Sequence, residues 1–93
     1  MNDRLIDLGY GSYVASSRIL AIVNPESAPI KRLIQDAREQ MKLIDATFGK
    51  KTRAVIMADS GHVILAAIEP EAVTARATQD PDKDVHKAQE AGN

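Results

Sequence analysis

Apolar and polar positions follow two different periods along this chain. Leu5-Ile6-Asp7-Leu8 has the short alternation of a strand, Gly9-Tyr10-Gly11 reads as a turn, and Tyr13-Val14-Ala15 predicts a second strand. A longer strand is predicted over residues 18–23, stopped by Asn24-Pro25. The period then becomes helical. Ser27 reads as an N-cap, Pro29 falls in the first turn, and Ile30, Leu33, Ile34, Ala37 and Met41 form one apolar stripe. Lys31, Gln35, Arg38 and Lys42 repeat at the same spacing as a second stripe, roughly 100° round the helix, with no acidic member.

Strand character returns over residues 43–48. A loop, Gly49-Lys50-Lys51-Thr52, leads into a strand over residues 53–58, so these two strands are expected to form a hairpin with the loop at its tip. Asp59-Ser60-Gly61 predicts a tight turn into a last strand over residues 62–68. The last two strands are almost wholly apolar, which predicts burial on both faces. One main helix covers one face, so the other is expected to meet a partner or another subunit. Pro70 opens a short helix to about residue 78. The fold class is therefore α+β, a small antiparallel sheet with one main helix and a short C-terminal helix. Residues 1–78 make the domain. Residues 79–93, acidic and nearly free of large apolar side chains, are expected to be a disordered tail.

Composition narrows the chemistry. The chain has 93 residues and no cysteine, which removes disulfides, thiolate nucleophiles and cysteine metal sites. Two histidines, His62 and His86, lie too far apart to suggest a structural zinc. No apolar run approaches the roughly 20 residues that span a bilayer, and no secretory signal pattern is visible, so a cytoplasmic location is expected. One Phe, two Tyr and no Trp weigh against a reader of unpaired bases.

Charge changes the picture more. The formal net charge is −1, yet between residues 18 and 53 Arg18, Lys31, Arg32, Arg38, Lys42, Lys50, Lys51 and Arg53 face only Glu26, Asp36, Glu39 and Asp45. A charged helix flank alone is usually just solvated. Here the flank is joined by three cations, Lys50, Lys51 and Arg53, at one loop, and together they point to phosphate. Enzyme chemistry has a weaker claim. Asp59-Ser60-Gly61-His62 gathers a carboxylate, a hydroxyl and an imidazole. Successive strand side chains point to opposite faces, so these groups are not expected to converge. Gly9-Tyr10-Gly11 lacks the further glycine and helix of a phosphate loop.

Several blocks carry a resemblance: Arg18-Ile19-Leu20-Ala21-Ile22-Val23, Ser27-Ala28-Pro29-Ile30-Lys31-Arg32, Leu43-Ile44-Asp45-Ala46-Thr47-Phe48-Gly49 and Asp59-Ser60-Gly61-His62-Val63-Ile64-Leu65. From about residue 4 to residue 76 the chain resembles the bacterial extracellular matrix regulator RemA family. The resemblance implies a DNA-binding transcriptional activator of biofilm matrix genes. It also implies a homo-oligomeric ring with a fold related to LytTR-type DNA-binding domains. Carried over, the family's DNA-contacting positions fall on Arg18, Lys50 and Lys51. Lysine stands at 50 and 51 where the family pattern has arginine. That keeps the charge but loses the bidentate fork, which favours phosphate contact over base reading. Ser12 stands where the pattern has asparagine.

The expectation is a nucleoid-associated, non-enzymatic ring that binds double-stranded DNA through Arg18, Lys31, Arg38, Lys42, Lys50, Lys51 and Arg53. No cofactor, metal, membrane or small-molecule substrate is expected. The rival readings are a protein-binding scaffold subunit without DNA contact and a small enzyme using Asp59 and His62.

Overall fold

The computed structural model describes residues 4–78; the tail expected over residues 79–93 lies outside them. A hairpin of β1 (Leu5–Gly9) and β2 (Ser12–Ala15) leads through a single 3₁₀ turn, Ser16–Arg18, into β3 (Ile19–Val23). Then follow α1 (Ala28–Glu39), β4 (Leu43–Asp45), β5 (Ala54–Ala58), β6 (Val63–Ala66) and α2 (Pro70–Thr78). The hairpin is one two-stranded sheet, and the other four strands make a second sheet in the order β3-β5-β6-β4. The class is α+β, with two helices and two sheets.

The main sheet is mixed rather than antiparallel. β4 pairs with β6 in parallel, Leu43 opposite Val63 and Asp45 opposite Leu65, and it does not touch β5 as a neighbour. The expected β4–β5 hairpin is thus absent. β3 already occupies one edge of β5 and β6 the other, so the free position for β4 is the far edge of β6. The chain from β4 must then step over the end of β6 to reach β5, about 10 Å across two strand spacings. The backbone laces this crossing to the strand it passes. Ala46 N–H donates to the Leu65 carbonyl at 2.9 Å and Arg53 N–H to the Ala66 carbonyl at 2.8 Å. Residues 46–53 are therefore an arch over one end of the sheet, with Lys50 and Lys51 on it.

The apolar runs of β5 and β6 are buried on both faces, and this chain does all of the covering. Alternation sends Val55, Val63 and Leu65 to one face, where Ala37, Ile30, Leu33 and Ile34 of α1 pack on them. Ala54, Ile56, Ile64 and Ala66 face the other way, onto Ile6 and Leu8 of β1 and Val73 of α2. The Arg76 guanidinium of α2 also donates to the Asp7 carbonyl of β1. The expectation of a sheet face left for a partner is corrected. The β1–β2 hairpin and α2 together supply the second layer, although neither is long enough to advertise that role in the sequence.

The helix begins as its cap predicts, with Ser27 Oγ accepting from Ile30 N–H at 3.4 Å. It ends earlier than the apolar spacing suggests. Met41 N–H donates to the Arg38 carbonyl at 3.2 Å and Lys42 N–H to the Ala37 carbonyl at 2.8 Å, the paired bonds of a Schellman ending. Met41 occupies the left-handed position, φ 60°, and its side chain is 90% exposed. It was expected in the core stripe and is not part of it.

Candidate nucleic-acid interface

The antiparallel register of β3 and β5 sorts the candidate cations into two groups. Ile19 pairs with Ala58 and Val23 with Val55, so Arg18 and the arch lie at opposite ends of the sheet. At about 3.3 Å per residue those ends are roughly 15 Å apart.

At the arch end the loop is held from below. Thr47, almost fully buried, donates its hydroxyl to Asp45 Oδ1 at 2.6 Å and its N–H to the same oxygen at 2.9 Å. Those two bonds hold the Asp45 carboxyl below the usual aspartate range, with the Arg38 charge adding a smaller push the same way. Lys50 N–H then closes a turn on the Thr47 carbonyl at 3.0 Å. Lys50 and Lys51 emerge from this turn exposed. Arg53 is different. Its Nη1 donates to Glu69 Oε2 at 2.8 Å, an ion pair that returns one of the three loop charges to neutrality. Lys51, Arg53, Glu26 and Glu69 line a shallow cleft of about 50 Å³ between the arch and the residues after β3. The sequence showed no acidic neighbour for the loop because both carboxylates arrive from elsewhere in the chain.

At the other end, Arg18 closes the 3₁₀ turn and reaches Asp59 in the β5–β6 turn. Its Nε donates to both carboxylate oxygens, at 2.9 and 3.0 Å, while Asp59 N–H donates to the Arg18 carbonyl at 2.8 Å. A pair this exposed contributes about 0–1 kcal/mol; its effect is to fix the guanidinium. Lys42, beyond the helix end, donates from Nζ to the Ser60 carbonyl at 3.5 Å. It therefore leaves the helical stripe assigned to it and lies against the same β5–β6 turn that Arg18 reaches from the other edge of the sheet. Lys31 and Arg38 stay exposed on α1, which carries the chain from the arch end to Lys42. Arg38 Nη1 donates to Gln35 Oε1 at 3.4 Å.

Two contacts went unseen in the sequence. Ser60 Oγ and His62 Nδ1 lie 2.7 Å apart. The four residues 59–62 were not expected to converge, but alternation separates only successive side chains, and these two are two residues apart. Asp59 is committed to Arg18 and does not orient the imidazole. These side chains, with Tyr13, Ile44 and Ile64, line a groove of about 290 Å³. The second contact joins the tips of two turns: the Tyr10 and Phe48 rings stack 5.4 Å apart at 4°. Gly11 and Gly49 each suited a turn, but an aromatic residue before the glycine is not one of the usual two-residue turn signals, and nothing local in the sequence brought the two turns together. Among the described residues no helix is long and apolar enough to cross a membrane.

Known proteins place the chain further. The RemA-like family, described as extracellular matrix regulatory protein A-like, matches residues 5–77. A Synechococcus relative named as a regulatory protein is 64% identical over 76 residues, covering 82% of this chain and 85% of its own. One from Halalkalibacterium halodurans with the same kind of name is 58% identical over 82 residues, covering 88% of this chain and 94% of its own. One from Alkaliphilus metalliredigens is 56% identical over 91 residues, covering 97% of this chain and 98% of its own.

Proposed function

The chain belongs to the RemA-like family of extracellular matrix regulatory protein A-like proteins, and from that premise we propose that it is a regulator that binds double-stranded DNA through the arch between β4 and β5. The observation that carries this reading is the pair Lys50 and Lys51. They project from a turn whose base is fixed by Asp45 and Thr47, with Arg53 alone among the loop cations taken up by an ion pair. Phosphate is the partner that suits two adjacent ammonium groups on a rigid loop. Arg18, itself paired with Asp59, and Lys42 make a second, partly neutralised site against the β5–β6 turn at the far end of the sheet. On one protomer the two sites are too far apart to grip the same phosphates.

Two phosphate contacts per protomer give a salt slope of only about −1.8 and weak intrinsic affinity. A ring of copies on one duplex raises the effective concentration of each further contact. Assembly is supported by Leu5, Tyr13, Leu20 and Ile44, all large, apolar and exposed on strands. It is supported too by the outer edges of β3 and β4, which have no strand beside them among the described residues. Activation of matrix genes and a location at the nucleoid are part of the same proposal, and the family's description as extracellular matrix regulatory supports the first of them. The scaffold reading differs in one outcome. Lys50→Ala with Lys51→Ala weakens duplex binding to a similar degree on unrelated sequences and leaves the assembly mass unchanged. Equal binding by this variant and wild type in a gel-shift titration at matched salt would favour a protein partner instead.

A further inference from the structure

Two of the three aromatic side chains in this protein stand together on its surface, at the arch. Phe48 is 75% exposed and Tyr10 is 53% exposed. Each is the first residue of a two-residue turn closed by glycine. Tyr10 and Gly11 have φ of 55° and 81°, Phe48 and Gly49 have 57° and 83°, the positive pair of a type I′ turn. Bulky side chains rarely accept this backbone, which asparagine or glycine adopts more readily. Both rings are thus held out at strained turn tips, stacked nearly parallel, and Phe48 is anchored through Thr47 to the core. An exposed ring with one face braced loses little freedom when its other face is covered.

We propose that Phe48, braced by Tyr10, is an apolar wedge that enters a base-pair step of duplex DNA while Lys50 and Lys51 hold the phosphates beside it. This rests on the DNA-binding reading and adds a residue that deforms the duplex. A duplex offers what this tip lacks, an apolar stack bordered on both sides by negative charge. A two-fold contact between copies of the chain fits less well, because it would bring the exposed Lys50 and Lys51 against their own counterparts. Side chains used this way unstack one step and kink the helix, most easily at pyrimidine–purine steps. The wedge therefore gives a preference for flexible steps without base-edge hydrogen bonds. That matches a loop carrying lysine rather than forked arginine. The sparse aromatic content argued against a reader of unpaired bases; a single wedge needs only one ring and its brace.

The test uses the full chain and short duplexes carrying 2-aminopurine beside a TA step, compared with duplexes lacking flexible steps. Wild type at saturation is expected to raise the 2-aminopurine fluorescence. Phe48→Asn, which suits the left-handed backbone and whose folding is checked by circular dichroism, is expected to abolish that rise. It should weaken binding about tenfold and leave the salt slope unchanged. Lys50→Ala with Lys51→Ala is expected to flatten the slope. Binding by wild type with a lysine-dependent slope but no fluorescence rise would overturn the wedge and leave the functional reading standing. So would a Phe48→Asn protein that binds and unstacks like wild type. A lower assembly mass for Phe48→Asn in light scattering would assign the ring pair to a contact between copies and overturn the wedge as well. No duplex binding by wild type would overturn both readings.

Discussion

Met41 shows how a single residue can carry strain that its neighbours do not need. It holds the left-handed position that ends α1, where glycine is the usual occupant, and its side chain touches almost nothing. Met41→Gly relieves the backbone at the cost of some unfolded-chain entropy, for a net gain of about 0.5–1 kcal/mol. The melting temperature should rise by several degrees; a drop would show that the methionine side chain is used. Thr47 is the opposite case. Its hydroxyl holds Asp45 ionised, so the folded carboxyl titrates below its unfolded value. That contribution is fully present above the unfolded aspartate pKa and is lost as pH falls through the lowered one. Thr47→Val leaves the backbone bond in place. It should move the Asp45 carboxyl part of the way back towards its ordinary range, as followed by NMR titration, and the variant's stability deficit at neutral pH should shrink under acid. A carboxyl that titrates identically in both proteins would contradict the role given to this hydroxyl.

At the scale of elements, the sequence made the helix and its cap legible because both are local. Ser27, Pro29 and the 3.6-residue repeat of Ile30, Leu33, Ile34 and Ala37 need no knowledge of the rest of the chain. The pairing of β4 was not legible. A three-residue strand followed by a glycine loop looks like half of a hairpin, and only the prior occupation of both β5 edges sends it to β6. The covering of the second sheet face was hidden for a related reason. Ile6 and Leu8 alternate as in any short strand, and Val73 is the one fully buried side chain of α2, so their joint layer exists only in three dimensions. Ile6→Ala tests that layer. Ile6 is 1% exposed, so the change should cost about 2–5 kcal/mol. Chemical denaturation reads the loss directly. A cost under 1 kcal/mol would mean that the hairpin is only loosely attached.

For the molecule as a whole, the site was half legible. Lys50 and Lys51 stood out by composition, and they are exposed together. Arg53 did not keep its charge for a ligand, because Glu69 lies 16 residues away in sequence and 2.8 Å away in space. Lys42 left the helical stripe because the helix had already ended. With both sheet faces covered from within the chain, the surfaces left for assembly among the described residues are the exposed strand side chains and two open sheet edges. Light scattering at micromolar concentration should give a mass several times the 10.1 kDa of one chain. A value near that of one chain would remove the avidity on which weak phosphate contacts depend.

Duplex phosphate is the partner proposed for Lys50 and Lys51, and a salt titration of binding is the sharpest test of it. Affinity for one duplex is measured across a range of salt for wild type and for Lys50→Ala with Lys51→Ala. The wild-type logarithmic plot should fall steeply, and the variant's slope should be shallower by about two for each protomer engaged. Parallel lines for the two proteins, with the affinity unchanged, would contradict it.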